Sequence, residues 1–189
     1  YTDPNYDFLG NSLNYFVSSE KNDKSDQGYE NTVTSAGIGT GFEQYKDLFA
    51  SLGISASYDD LTTDDTATES LKKQKGTFSD LSGNYGFKYD KRNRAFMPTR
   101  GSILSFGQSF PIIADKSSIT NTLALSSYKS FNEDVVGAGK IFLTSVNGLG
   151  SDDVRLSKRV GLSSRRLRGF ERGKVGPMDG NDHVGGNYA

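Results

Sequence analysis

A two-residue alternation of apolar and small polar side chains, repeated along most of the chain, is the feature that most constrains the fold. In residues 48–58, Leu48, Ala50, Leu52, Ile54, Ala56 and Tyr58 fall on one side, and Phe49, Ser51, Gly53, Ser55 and Ser57 on the other. In residues 81–90, Leu81, Tyr85, Phe87 and Tyr89 oppose Ser82, Asn84, Gly86, Lys88 and Asp90. Period two is the signature of a strand with one apolar and one polar face. The same alternation runs through 9–19, with Phe16 out of step, and through 32–42 and 102–112. Residues 119–131 and 135–147 are strand-like with less regular faces. Seven strands follow, with an eighth beginning near Gly185.

Strand length separates two kinds of β-protein. Each segment runs about ten residues or more, against about five or six in an ordinary strand. A tilted strand of about 9–11 residues crosses a bilayer. The polar face is small, mostly Gly and Ser, as the inside of a barrel filled by water or a loop would be. A soluble sandwich also alternates, but with shorter strands and a larger apolar share. Here hydrophobic residues are only 34%, while aromatics reach 12% and Gly numbers 22. That is too little apolar surface for a two-sided core and too many aromatics for disorder. The predicted fold class is all-β: a partial antiparallel transmembrane β-barrel. No run of about 18 apolar residues marks a membrane helix, and no signal peptide is evident. A net charge of −1 selects no partner, and the absence of cysteine removes disulfides and thiolate metal sites. The abrupt start at Tyr1 and the end at Ala189 read as cuts through a longer protein.

The connections alternate in kind: 20–31 long and charged, 43–47 short, 59–77 long and polar, 131–135 short, 148–184 very long. Short turns on one side and long loops on the other mark bacterial outer-membrane barrels. Connections 91–101 and 112–118 do not sort by length.

The long loop is basic. Arg155, Lys158, Arg159, Arg165, Arg166, Arg168, Arg172 and Lys174 stand against Glu171 alone. Such a run suits nucleic acid or anionic lipid, but only Phe170 could stack a base, so no nucleic-acid partner is expected and a solvated loop is the simpler reading. Gly169 to Lys174 is one residue short of a phosphate loop, with Val175 after the lysine. Asp179-Gly180-Asn181-Asp182 lacks the order and terminal glutamate of an EF-hand. The single histidine, His183, has no nucleophile-elbow motif beside it and reads as a loop hydrogen-bonder. No catalytic residue, metal site or cofactor is expected, and the chain is not read as an enzyme.

Linked motifs carry a resemblance. Leu167-Arg168-Gly169-Phe170 follows Gly161-Leu162-Ser163-Ser164, then come Val175-Gly176-Pro177, and then Asp182-His183-Val184-Gly185-Gly186-Asn187. Upstream, Asp90 leads through Phe96-Met97-Pro98-Thr99-Arg100-Gly101. In this order, on long strands, these elements resemble the BamA family of outer-membrane protein assembly factors (bacterial surface antigen barrels), and the compact loop resembles alphaproteobacterial members. The resemblance implies that residues 1–189 are seven to eight strands of a sixteen-stranded barrel, without the periplasmic POTRA domains and the terminal strands. It implies that loop 148–184 turns into the lumen, with Leu167, Arg168, Gly169, Phe170, Val175, Gly176, Pro177, Asp182, Gly185, Gly186 and Asn187 forming a structural latch and Asp90, Phe96, Pro98, Thr99 and Gly101 a turn. It further implies an integral protein of the bacterial outer membrane, in contact with its lipid. The protein would insert unfolded β-barrel clients without a cofactor, assisted by accessory lipoproteins bound through the absent periplasmic domains. A sister transporter secreting a partner protein is the alternative; a porin or a hydrolase barrel is more remote. The acidic partners of the latch arginine lie, in the family, on later strands that this chain lacks. On this reading Arg168→Ala in the full-length protein lowers barrel stability or client assembly and Arg166→Ala is nearly silent, as measured by client insertion; equal effects would point to generic basic charge.

Overall fold

The computed structural model describes residues 1–25, 28–65, 67–162, 166–170, 174–180 and 182–189. Ser163, Ser164, Arg165, Glu171, Arg172 and Asn181, all named above, lie outside the described residues. Eight strands form one antiparallel sheet in chain order. They are β1 (Thr2–Asp3), β2 (Ser12–Lys24), β3 (Tyr29–Tyr45), β4 (Leu48–Thr63), β5 (Gly76–Asp90), β6 (Arg100–Ala114), β7 (Ser118–Ser130) and β8 (Val136–Gly148). The seven long strands span 13 to 17 residues, more than enough to cross a bilayer. Each pairs with its sequence neighbour, as a meander of hairpins does, and β1 does not pair with β8, so the sheet is open. Where the paired glycines end, the chain pairs with the sheet again, at the position of the expected eighth strand: Tyr188 bridges Ser145, and Val146 N donates to Asn187 O at 2.8 Å. Among the described residues no helix is long and apolar enough to cross a membrane, which says nothing of strands.

The register fixes two faces. Thr40, Leu52 and Tyr85 lie in line across β3, β4 and β5, as do Ile38, Ile54 and Gly83. On this outer face Ile54 is 50% and Ile141 55% exposed, a large apolar surface that suits lipid and not water. Tyr85, Phe87, Phe106 and Phe110 cluster there with ring centroids 6.1 to 6.3 Å apart. The Phe110 ring occupies the space a side chain at Gly83 would need. A polar ladder crosses the same face. Tyr85 donates to Gln108 at 2.9 Å, Gln108 to Asn121 at 2.5 Å, and Asn121 to Ser145 at 3.4 Å. Each member thereby answers another in a place where lipid could not.

The opposite, inner face carries the Gly and Ser positions. It includes Phe16, whose ring lies over Gly37 in the neighbouring strand. The apparent break in the pattern is thus a lumen aromatic seated on a glycine.

The ends of the hairpins differ from the sequence expectation. The first long connection shrinks from 20–31 to residues 25–28, because β2 and β3 continue as a charged ladder. Lys21 pairs with Glu30 at 2.9 Å, and Lys24 Nζ donates to the Tyr29 hydroxyl at 2.9 Å. Charged residues obey the same pairing rules once a strand leaves the membrane, so polarity alone did not mark a loop. Leu9 is likewise outside β2: residues 5–11 fold into turns closed by Asn5 and Asp7. Connections 46–47, 91–99 and 131–135 share one end of the sheet; 25–28, 64–75, 115–117 and the loop after Gly148 share the other. The hairpin alternation, rather than connection length, sorts 91–99 and 115–117.

The turn motif is a built structure. Asp90 receives Arg92 through Nε at 2.9 Å and Nη2 at 2.6 Å. Asn93 Oδ1 accepts from the Thr99 and Arg100 amides at 3.1 and 3.2 Å. Met97 has φ 47° just before Pro98, and Phe96 is exposed. Lys91 reaches Asp47 of the adjacent turn at 2.8 Å, and that hydrogen bond raises the lysine pKa above its ordinary value. Gly101 has φ +94°, and a Cβ there would stand 2.1 Å from the Lys91 carbonyl oxygen. Gly101→Ala is therefore expected to destabilise the intact barrel by about 2 kcal/mol or more. Gly107→Ala, where a Cβ meets nothing, should stay within about 0.5 kcal/mol. Urea unfolding of both variants in detergent compares them.

Candidate functional site: the seat of the long loop

Few apolar side chains are buried, and most of them gather in one place. Tyr29, Leu61, Ala67, Leu71, Leu156 and Val184 form a single cluster. They come from the ends of β3 and β4, the 64–75 connection with its short helix α1 (Glu69–Lys72), and the loop after Gly148. The sheet has lipid on its outer face and needs no core there, so the core of this chain lies where the loop meets the wall.

Beside that cluster sits a buried charge group. Arg155 is 4% exposed. Its guanidinium donates to Asp80 on β5, lies 4.0 Å from Asp59 on β4, and stacks 4.8 Å from the Phe78 ring centroid. Lys158 reaches Asp80 at 2.8 Å. Asp59 also accepts from Asn31 at 2.9 Å and from the Ser157 hydroxyl. Two cations thus face two carboxylates; Arg155 and both acids are shut off from water and Lys158 is partly exposed, and such pairing is the condition under which buried charge is tolerated. Arg155 Nε and Nη1 have no hydrogen-bond partner among the described residues; the Phe78 ring beside the guanidinium supplies π-electron density instead. The 3-10 turn Leu156–Lys158 follows at once, with Leu156 N donating to Gln74 Oε1 at 2.9 Å.

Further along, the loop lies on the inner wall. Arg166 stacks on Phe142 of β8, 3.3 Å from its ring centroid. Phe142 pairs with Ala124 and so shares the inner parity with Thr122 and Thr144. The returning limb carries the hairpin of β9 (Met178–Asp179) and β10 (Asp182–His183). Its acids cap the 64–75 connection: Asp182 accepts from Thr68 N at 3.4 Å, and Asp179 accepts from the Thr68 and Ser70 hydroxyls. Asp179 and Asp182 are therefore docking residues. Outgoing and returning limbs are joined by Val160 and Gly186, whose amides each donate to the other's carbonyl, at 2.7 and 2.9 Å. Gly185, at φ +70°, makes that close approach. His183 pairs with Met178. Its Nδ1 is buried with no hydrogen-bond partner among the described residues.

The sequence-selected latch residues are dispersed around this seat. Leu167 is half-buried, Arg168 and Gly169 are exposed, and Phe170 is 57% exposed. Gly169 has φ +89° and Gly176 φ +132°, backbone shapes that favour glycine. Val175, Asp182, Gly185, Gly186 and Asn187 are partly covered, and Pro177 O accepts from Val184 N at 3.1 Å. Arg166 is not without a wall contact, because its guanidinium covers Phe142. The basic run is not solvated throughout, because Arg155, Lys158 and Arg159 at its start pair with Asp80, Asp59 and Asp153. Asp59 falls in the expected 59–77 connection, whereas β4 runs on to Thr63; Phe78 and Asp80 were not singled out. The available signal was parity: Asp59 continues the inward series of Ser55 and Ser57, and Asp80 that of Ser82 and Asn84. Two carboxylates at inward positions of adjacent strands require a cation from elsewhere.

A model of the Omp85 superfamily domain matches residues 1–189. No curated protein matches the chain. Among solved structures, BamA from Haemophilus ducreyi lacking POTRA domains 1-3 superposes with a TM-score of 0.82 at 21% identity, covering 99% of this chain. The chain spans 42% of that structure's length.

Losing one partner of a buried pair leaves an uncompensated charge, which costs about 3 kcal/mol or more. Asp80→Ala is expected to destabilise the intact barrel by that amount, whereas Asp153→Ala, at a pair whose acid is 75% exposed, should change it by less than about 1 kcal/mol. Urea unfolding in detergent reads both.

Proposed function

This chain belongs to the Omp85 superfamily over residues 1–189, and we propose on that premise that it is the central part of the barrel of a BamA-like factor, which folds β-barrel clients into the outer membrane. The protein is an integral outer-membrane protein, with an antiparallel sheet whose outer face meets lipid. The observation that carries the reading is the loop after Gly148. It is folded against the inner wall by Arg155 and Arg166 and presents the Leu167-Arg168-Gly169-Phe170 motif beyond the last wall contact.

In this reading residues 1–189 form one partial barrel domain, continued by strands on both sides toward a count of sixteen. The paired residues 187–189 along β8 support continuation on that side. Arg168 is the latch. Exposed here, it meets a carboxylate on strands that follow Ala189, where its planar fork suits bidentate pairing. The remaining residues assigned to the latch shape the loop: Gly169 and Gly176 supply left-handed backbone, and Gly185, Gly186 and Asn187 return the chain to the sheet. Client strands add to an open sheet edge by backbone pairing. Accessory lipoproteins bind periplasmic domains upstream. The work is strand pairing and membrane insertion, with no bond made or broken, so the protein is not an enzyme and uses no cofactor.

The same superfamily match accommodates a transporter that secretes one partner protein, and the experiment separates the two. The full-length protein is reconstituted into vesicles with either an unfolded barrel client or a soluble secreted polypeptide. Assembly predicts that the client becomes protease-resistant and heat-modifiable, and that Arg168→Ala lowers its yield severalfold. Passage of the soluble polypeptide into protected space, with no client folding, would overturn the assembly reading in favour of secretion.

A further inference from the structure

We propose that Arg155 is a positioning residue that sets where the loop enters the lumen, a root anchor separate from the Arg168 motif at the tip. The inference goes beyond the assembly reading, since it concerns the geometry of the loop whatever the barrel carries.

Several observations converge on it. Arg155 is the most buried cation of the loop among the described residues, at 4% exposure, and bridges carboxylates from two adjacent wall strands while lying on a phenylalanine of one of them. A contact to one strand would fix distance only; contacts to β4 and β5 with ring stacking fix direction as well, because the guanidinium is planar. The next residues add independent ties. Leu156 is 1% exposed within the apolar cluster, Ser157 donates to Asp59, and Lys158 pairs with Asp80. Without Arg155, Asp80 would keep Lys158 while Asp59 would lose the cation 4.0 Å from it, and two buried carboxylates facing one cation repel strongly. The root would then have to lift to admit water.

The tip depends on the root through the chain. Val160 is paired to Gly186, and Arg166 rests on Phe142 a few residues later. The acids facing the root come from the wall, at Asp59 and Asp80, and those facing the returning limb's contacts are its own Asp179 and Asp182. Root and tip therefore use different partners, so Arg155 can be removed without touching any residue of the tip motif.

The test is a proximity measurement in the full-length protein. The chain has no cysteine, so Leu167→Cys with Lys140→Cys places one thiol on the tip and one on β8 beside Phe142. A short bismaleimide reads their approach in membranes. Arg155→Ala is expected to lower crosslinking at least about fivefold in barrels that remain heat-modifiable, and the exchanged pair Arg155→Asp with Asp80→Arg is expected to restore part of it. Parent-like crosslinking in Arg155→Ala overturns the proposal, even if thermal stability falls, because Arg155 would then stabilise without positioning. Should Arg155→Ala yield no folded barrel, Asp80→Asn decides: it keeps the shape and removes the charge, so reduced crosslinking supports the proposal and a parent-like yield overturns it. Client insertion is scored in parallel. Lost crosslinking with intact insertion supports the anchor while counting against a role of loop position in assembly, so the two readings fail separately.

Discussion

Backbone amides and carbonyls in hydrocarbon have no water to turn to, and every other feature of this chain follows from satisfying them strand to strand. That requirement explains why the seven long strands pair in chain order with nearly unbroken register, interrupted only at Glu43/Tyr45 and Leu81/Ser82. It also explains the polar ladder from Tyr85 to Ser145 on the outer face. Polar side chains are tolerable there because each donates to the next. An open sheet leaves the requirement unmet at its edges, and residues 187–189 already answer it along the upper part of β8.

A sheet with lipid on one face cannot form a core on that face, and its inner face is left to water or to a loop. Here the filler is a charged loop, and the charges at its root are matched by acids. Arg155 and Lys158 meet Asp59 and Asp80 in the buried zone, while Arg159 meets Asp153 nearer solvent. Lumen phenylalanines extend the pairing. Arg155 lies on Phe78, Arg166 on Phe142 and Lys88 on Phe49. Aromatic faces supply favourable electrostatics to a cation without themselves needing hydrogen bonds, which suits a wall made mostly of Gly and Ser.

The division of the loop into a root held by the wall and a tip beyond it gives the family motif a mechanical setting. A buried ion group with an apolar cluster beside it is costly to open. The glycines of the loop lie largely where the backbone needs left-handed φ, at Gly169, Gly176, Gly180 and Gly185, so the path is shaped by backbone geometry as much as by contacts.

Most of the sheet was legible in the sequence, because period two is imposed locally by strand geometry and repeats in every segment. The strand ends were not: the charged ladder of Lys21, Lys24 and Glu30 has loop composition, yet pairs as strand. The turn around Gly101 was visible as a motif, while its reason, a carbonyl 2.1 Å from any Cβ, needed coordinates. The latch motif was visible too, whereas Arg155 was one basic residue among many. The sequence by itself determined the all-β class, the two faces and the position of the long loop, since these depend on neighbours along the chain. Only the tertiary structure decided which cation the wall holds, because Asp59, Asp80 and Arg155 become one group only when β4, β5 and the loop fold together, and no local pattern records a balance of buried charge across such separations.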